Sequence, residues 1–214
     1  MKKCCIFDMD GTLFQTNLIL EPALENTFNM LREQDLWNED TPIEKYREIM
    51  GVTLPTVWKT LCPKHSNETR EKSNEYFHKQ LIALIKNNEG ALYPHAEKLL
   101  MTLSKDYEVF IASNGQEEYL KAIVETYDLE KYIKKVYSIQ TVASGHKSEL
   151  VERVLKENQI TSGYVIGDRS SDINAAKDNN LIAIGVEFDF SQPEELEKAN
   201  YIVKDLREVL EFTL

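Results

Sequence analysis

Basic residues are in short supply in this chain. Lys and Arg number 25 against 36 Asp and Glu across 214 residues, a formal net charge of −11. That balance excludes a protein that grips a nucleic acid polymer or an anionic membrane through a broadly basic surface. It leaves an anionic small molecule open, because a local site can oppose the global charge. Cysteine is scarce too. Cys4, Cys5 and Cys62 form an odd set in a chain large enough to bury a core without disulfide staples. Adjacent Cys4 and Cys5 read as buried small hydrophobes, and a reduced, cytoplasmic setting is expected. Long apolar runs are missing: none approaches the ~18 residues of a membrane span. The N-terminal apolar run ends at Asp8, short of the roughly 7–15 residues of a signal-peptide core. Internal repeats and low-complexity tracts are absent as well.

What is present is the mixture of a globular chain, 42% hydrophobic and 29% charged, which sets it apart from disordered sequences. Five short apolar, β-rich runs punctuate it: Cys4–Asp8, Glu108–Ser113, Lys135–Ile139, Gly163–Gly167 and Leu181–Val186. They are continuous rather than alternating, as strands buried on both faces are. Ahead of the second run, and again between the third and fourth, the period turns helical. Ala96, Leu99, Leu100 and Leu103 share a face behind Pro94, and Leu150, Val151, Val154 and Leu155 repeat the pattern. Alternation of strand and helix implies an α/β fold, a parallel sheet with helices on both sides.

Residues 16–89 break the rhythm. They hold no strand pattern and read as several helices, one presenting Leu20, Leu24, Phe28 and Leu31, another Phe77, Leu81, Leu84 and Ile85. Joints fall at Glu39–Pro42, Gly51–Pro55 and Pro63–Asn67. The expected organisation is a core domain of residues 1–15 and 90–214, interrupted after its first strand by a helical domain, 16–89. That insertion of about 70 residues is too long for an ordinary connection.

The chemistry-bearing residues fall at predicted strand ends, where open α/β sheets bind their ligands. Asp8 and Asp10 come at the end of the first strand, with Gly11 permitting a sharp turn. Spaced i and i+2, they share a side if the backbone stays extended, and could offer oxygen ligands to a divalent cation or split nucleophile and proton-shuttle roles. The same string is also ordinary turn chemistry. The second such run ends in Ser113-Asn114-Gly115, able either to bind phosphate oxygens or to cap the helical segment after Gly115. Lys147 precedes a predicted helix and could neutralise phosphate charge. Asp168 and Asp172, four apart after Gly167, can converge if a helical turn begins near Ser170.

Asp8-Met9-Asp10-Gly11-Thr12-Leu13, with the three later motifs in the same order, resembles the haloacid dehalogenase (HAD) superfamily along essentially the whole chain. The helical insertion after the first strand is similar to the cap of its phosphoglycolate phosphatase and β-phosphoglucomutase branch. The resemblance implies a Rossmann-like core with an inserted α-helical cap domain. It implies a Mg²⁺-dependent phosphatase that hydrolyses a small phosphomonoester (phosphoglycolate, a nucleotide or a sugar phosphate) through an aspartyl-phosphate. Asp8 would be the nucleophile and Asp10 the acid and base. Thr12, Ser113, Asn114 and Lys147 would bind phosphate. Asp8, the Asp10 carbonyl and Asp168 would hold Mg²⁺, with Asp172 supporting a metal-bound water or Lys147. Two departures stand out: Lys147-Ser148 where Lys-Pro is frequent, and Arg169 where Ser or Thr is common. Thr53, Trp58 and Lys59 are the substrate-side candidates in the cap, although Trp58 also reads as cap core. A monomer or weak dimer is expected.

Asp10 argues against dehalogenase chemistry, which usually lacks it. A phosphomutase of the β-phosphoglucomutase type is the alternative enzyme. A non-catalytic phospho-accepting or ligand-binding regulatory protein is the alternative of another class, disfavoured because Asp8, Asp10, Lys147 and Asp168 are all present.

Overall fold

The computed structural model describes residues 3–49, 52, 54–189 and 191–213. By its internal contacts the chain divides into two compact units, Met1–Gln15 with Leu92–Leu214, and Thr16–Ala91.

The first unit is built on six parallel strands: β1 (Lys3–Phe7), β2 (Glu108–Ser113), β3 (Lys135–Ser138), β4 (Ser162–Gly167), β5 (Ile182–Val186) and β6 (Tyr201–Val203). Their spatial order is β3-β2-β1-β4-β5-β6. Phe7 pairs with Ile111 on one side and Ile166 on the other, so β1 lies inside the sheet with neighbours drawn from far along the chain. Cys4, Cys5, Ile6 and Phe7 are all fully buried, as continuous apolar runs require when both sheet faces are covered. All three cysteines are buried and free. Burial pushes the Cys4 thiol up to about 12, which keeps it an inert hydrophobe.

Helices α1 to α4 make up the second unit: Asn17–Glu33, Ile43–Glu48, Leu54–Leu61 and Asn67–Lys86. The remaining helices decorate the sheet: α5 (Ala96–Leu103), α6 (Glu117–Thr126), α7 (Lys147–Asn158), α8 (Ser170–Asp178), α9 (Pro193–Leu196) and α10 (Val209–Thr213). Helix α5 buries Ala96, Leu99, Leu100 and Leu103, the face its spacing predicts. In α7, Leu150, Val151 and Val154 join Ile173, Ala175 and Ala176 of α8 against Cys4, Ile6, Phe110 and Val165 of the sheet. Strand β6 is not among the five runs read from sequence. It is three residues long, and Tyr201 and Ile202 at the sheet's edge are 41% and 46% exposed, so it carries no buried apolar signature.

In the helical unit, α1 buries Leu20, Leu24, Phe28 and Leu31, while α4 buries Phe77, Leu81 and Ile85. Leu84 is only half-buried. Trp58 stacks on Phe28 with centroids 6.2 Å apart and meets the Phe77 ring edge-on at 5.8 Å. Among the described residues no helix is long and apolar enough to cross a membrane.

Candidate active site

In the sheet, chain order turns at β1: β2 and β3 lie to one side, β4 to β6 to the other. Such a switch point opens a crevice beyond the carboxyl ends of the strands. The Asp8 amide still donates to the Ile166 carbonyl (2.9 Å), carrying the pairing one residue past β1. The turn then closes tightly, with the Leu13 and Phe14 amides both donating to the Met9 carbonyl. Gly11 sits at φ +73°. A Cβ there would lie 2.5 Å from Asp168 Oδ2, so this position needs glycine both for its backbone angle and for the carboxylate beside it.

Four charged groups converge at the crevice. Lys147, the first residue of α7, places Nζ 2.9 Å from Asp8 Oδ2 and 2.5 Å from Asp172 Oδ1. Asp168, one residue past β4, accepts from the Thr12 hydroxyl at 3.2 Å. Carboxylate oxygens of Asp8, Asp168 and Asp172 all lie within 4.8 Å of one another. All four charged groups are buried. Asp8 Oδ1 accepts from the Met9 amide (2.8 Å), and Asp172 Oδ2 from the Arg169 amide (3.1 Å), which fixes both carboxylates from the backbone. Gly167 makes room for Asp172: a Cβ at Gly167 would lie 2.2 Å from its carboxyl carbon.

The electrostatics are set by burial. Burial opposes the Lys147 ammonium, but Asp172 and Asp8 outweigh it and raise its pKa. Asp168 is raised well above the usual carboxylate range, first by burial and then by repulsion from Asp8 and Asp172. Burial also raises Asp172, against the pull of Lys147. Three carboxylates against one ammonium leave an excess of buried negative charge, which a divalent cation would offset. The donors are all oxygen, the type a hard cation such as Mg²⁺ prefers. Asp8, Asp168 and Asp172 are the side chains that could hold one.

Not every residue singled out in the sequence enters this cluster. The carboxylate of Asp10 turns to another partner, accepting from the Tyr119 hydroxyl on α6 at 2.5 Å. Ser113 ends β2, 1% exposed, its Oγ accepting from the Gly115 amide (3.2 Å); Asn114 beside it is half-buried. Trp58 is packed into the helical unit's core and donates its indole N–H to Asn74 (2.9 Å). Lys59 is exposed, and Thr53 lies outside the described residues. Arg169 makes an ion pair with Glu195 of α9 at 2.6 Å, which Ser170 also contacts. Tyr119 and Glu195 were not among the residues read from sequence. An aromatic at the start of a helix and one acid among many offer no local signal.

Residues 5–186 match the model of the family described as haloacid dehalogenase-like hydrolase. The chain is similar to pyrophosphatase PpaX of Listeria monocytogenes, 25% identical over 194 residues that cover 89% of this chain and 86% of that protein. Among solved structures it is similar to a predicted phosphatase from Clostridium acetobutylicum, with 25% identity, a TM-score of 0.81, and coverage of 100% of this chain and 98% of that one. It shares the fold of a predicted phosphoglycolate phosphatase from Haemophilus somnus, at 16% identity and a TM-score of 0.86 over 100% of this chain and 98% of the other. The chain belongs to the haloacid dehalogenase-like hydrolase family, and it is an enzyme.

Proposed function

We propose that this chain is a Mg²⁺-dependent phosphatase that hydrolyses a small phosphate compound through an aspartyl-phosphate on Asp8. The observation that carries the reading is the Lys147 ammonium seated between Asp8 and Asp172, with Asp168 alongside, at the switch point of a parallel sheet. With a divalent cation offsetting the excess of carboxylates, the Lys147 ammonium would suit the site to a ligand that brings its own negative charge.

In this reading Asp8 attacks phosphorus in line. Its carboxylate forms the new O–P bond while the bond to the leaving oxygen breaks, and Asp10 gives that oxygen a proton. Asp10 then takes a proton from the water that attacks the aspartyl-phosphate, which frees Asp8 and releases phosphate. The Met9 amide and Lys147 hold Asp8 in a fixed orientation throughout. Ser113 accepts from Gly115 and can still donate its own hydroxyl proton to a phosphate oxygen; Asn114 would bind phosphate beside it, and Thr12, whose hydroxyl donates to Asp168, would turn from that carboxylate to do the same. Mg²⁺, held by the Asp8 and Asp168 carboxylates and the Asp10 carbonyl, would supply neutralisation of phosphate charge. Residues 16–89 act as the cap domain that sets which phosphate compound is accepted, and residues 1–15 with 90–214 as the core.

The test is phosphate release from an aryl phosphate with Mg²⁺ and with EDTA. Release should require the metal, and Asp8→Asn should lower kcat by at least about 10³-fold. Metal-independent turnover, or full activity in Asp8→Asn, overturns the reading. A panel of phosphoglycolate, nucleotides, sugar phosphates and inorganic pyrophosphate, the last suggested by the Listeria relative's name, ranks substrates by kcat/KM.

A further inference from the structure

We propose that Tyr119 is a positioning residue for Asp10, aiming its carboxyl group for the proton transfers of the reaction. The inference rests on the reading of Asp10 as the acid and base. It starts from a divergence. Asp8 and Asp10 are two residues apart, yet their carboxylates have different surroundings. Asp8 is clamped by the Met9 amide and Lys147 within the buried cluster. Asp10 is half-buried and lies at a turn, where a carboxylate has several rotamers open to it. Proton transfer needs one of them.

Tyr119 supplies one constraint. Its hydroxyl donates to Asp10 Oδ1 at 2.5 Å, a short bond of the charge-assisted kind, between residues 109 apart in sequence. The ring is 4% exposed and rides in the first turn of α6, the helix that comes after the Ser113 strand end. Gly115 shapes the space for it: a Cβ at that position would lie 3.1 Å from Tyr119 Cδ1 and 2.9 Å from Leu120 Cδ2. A packed aromatic ring has few rotamers, so the hydroxyl is delivered to a fixed point. The bond thereby ties the turn after β1 to the helix after β2, and couples the orientation of the proton-transferring group to the strand end that carries Ser113.

The test separates positioning from bulk structure by leaving-group chemistry. An alkyl phosphate needs a proton on its leaving oxygen, whereas a dinitrophenyl phosphate does not. Tyr119→Phe keeps the ring and removes the donor. It should lower kcat/KM on the alkyl ester by about tenfold more than on the dinitrophenyl ester. In an Asp10→Asn background the same substitution should leave that ratio unmoved. The ratio is taken within one protein sample, so any change in the folded fraction cancels. Equal losses on both esters, or an unchanged ratio, in a protein whose wild type is active overturn this inference alone. A wild-type protein that turns over neither ester with Mg²⁺ overturns the phosphatase reading and this inference with it.

Discussion

The two units bury polar groups in contrasting ways. In the helical unit the partners are local. Thr27 donates to the Ala23 carbonyl (2.8 Å) and Ser73 to the Thr69 carbonyl (2.9 Å), each within its own helix. His78 is buried there, and burial lowers its pKa to about 4, so the folded unit holds it neutral. The α/β unit also buries a cluster of charged groups, some of whose partners are far away in sequence. Lys147 meets Asp8, and Thr12 meets Asp168 across 156 residues. The helical core is at ease without a ligand. The strand-end cluster carries like-charge repulsion among its carboxylates that a cation would relieve, a common arrangement where pKa values are bent toward function.

Substitutions in either unit test this contrast. The largest effect should come from Lys147→Met, which leaves three buried carboxylates with no ammonium. Denaturant unfolding at neutral pH should show a loss of roughly 3–5 kcal/mol. That loss should shrink as acid protonates Asp168 and Asp172, whose folded pKa values are already raised. An unchanged stability at neutral pH would mean the cluster is not repulsive.

His78 should act with the opposite sign. Its folded pKa lies below the unfolded value of 6.5, so the unfolded chain takes the proton first as pH falls. The stability it contributes is intact above pH 6.5 and is lost between 6.5 and about 4, up to roughly 3 kcal/mol in all. His78→Leu should flatten the stability profile across that window. A profile as steep as the wild type's would remove His78 from the account.

The smallest of the three is metal removal. Mg²⁺ at a hundred times its Kd should stabilise the protein by about 2.7 kcal/mol, and EDTA should reverse the gain in Tm. Asp168→Asn should abolish most of that metal-dependent shift while leaving the pH response of His78 in place. A shift that survives Asp168→Asn places the cation elsewhere.

The parts of this protein that could be read from sequence are those in which one residue's neighbours are dictated by burial. Cys4–Phe7 and Gly163–Gly167 are apolar throughout because both faces of the sheet are covered, and the acids that end such runs stand out against them. Strand β6 could not be read that way, since its Tyr201 and Ile202 face outward at an edge. Tyr119 was hidden for a different reason. Its meaning comes from a contact with Asp10 made by the fold, and nothing in Gln116-Glu117-Glu118-Tyr119 reports it. Spacing put Asp8 and Asp10 on one side only if the backbone stayed extended; a turn closes on the Met9 carbonyl between them, and their carboxylates have separate partners.

The position of β1 has a consequence for how the molecule comes into being. Of the six strands it is the first to leave the ribosome, yet it lies between β2 and β4, and the end of β4 is made only long after Phe7. Until then the Cys4–Phe7 run lacks at least one neighbour, and the nascent chain must carry four residues that only the finished sheet hides completely. The helical unit, one uninterrupted stretch from Thr16 to Ala91, has all of its residues available during that wait. A chain cut short before β4 therefore lacks Asp168 and Asp172 and leaves its central strand as a sticky edge. Premature termination should yield an aggregating fragment rather than a sluggish enzyme.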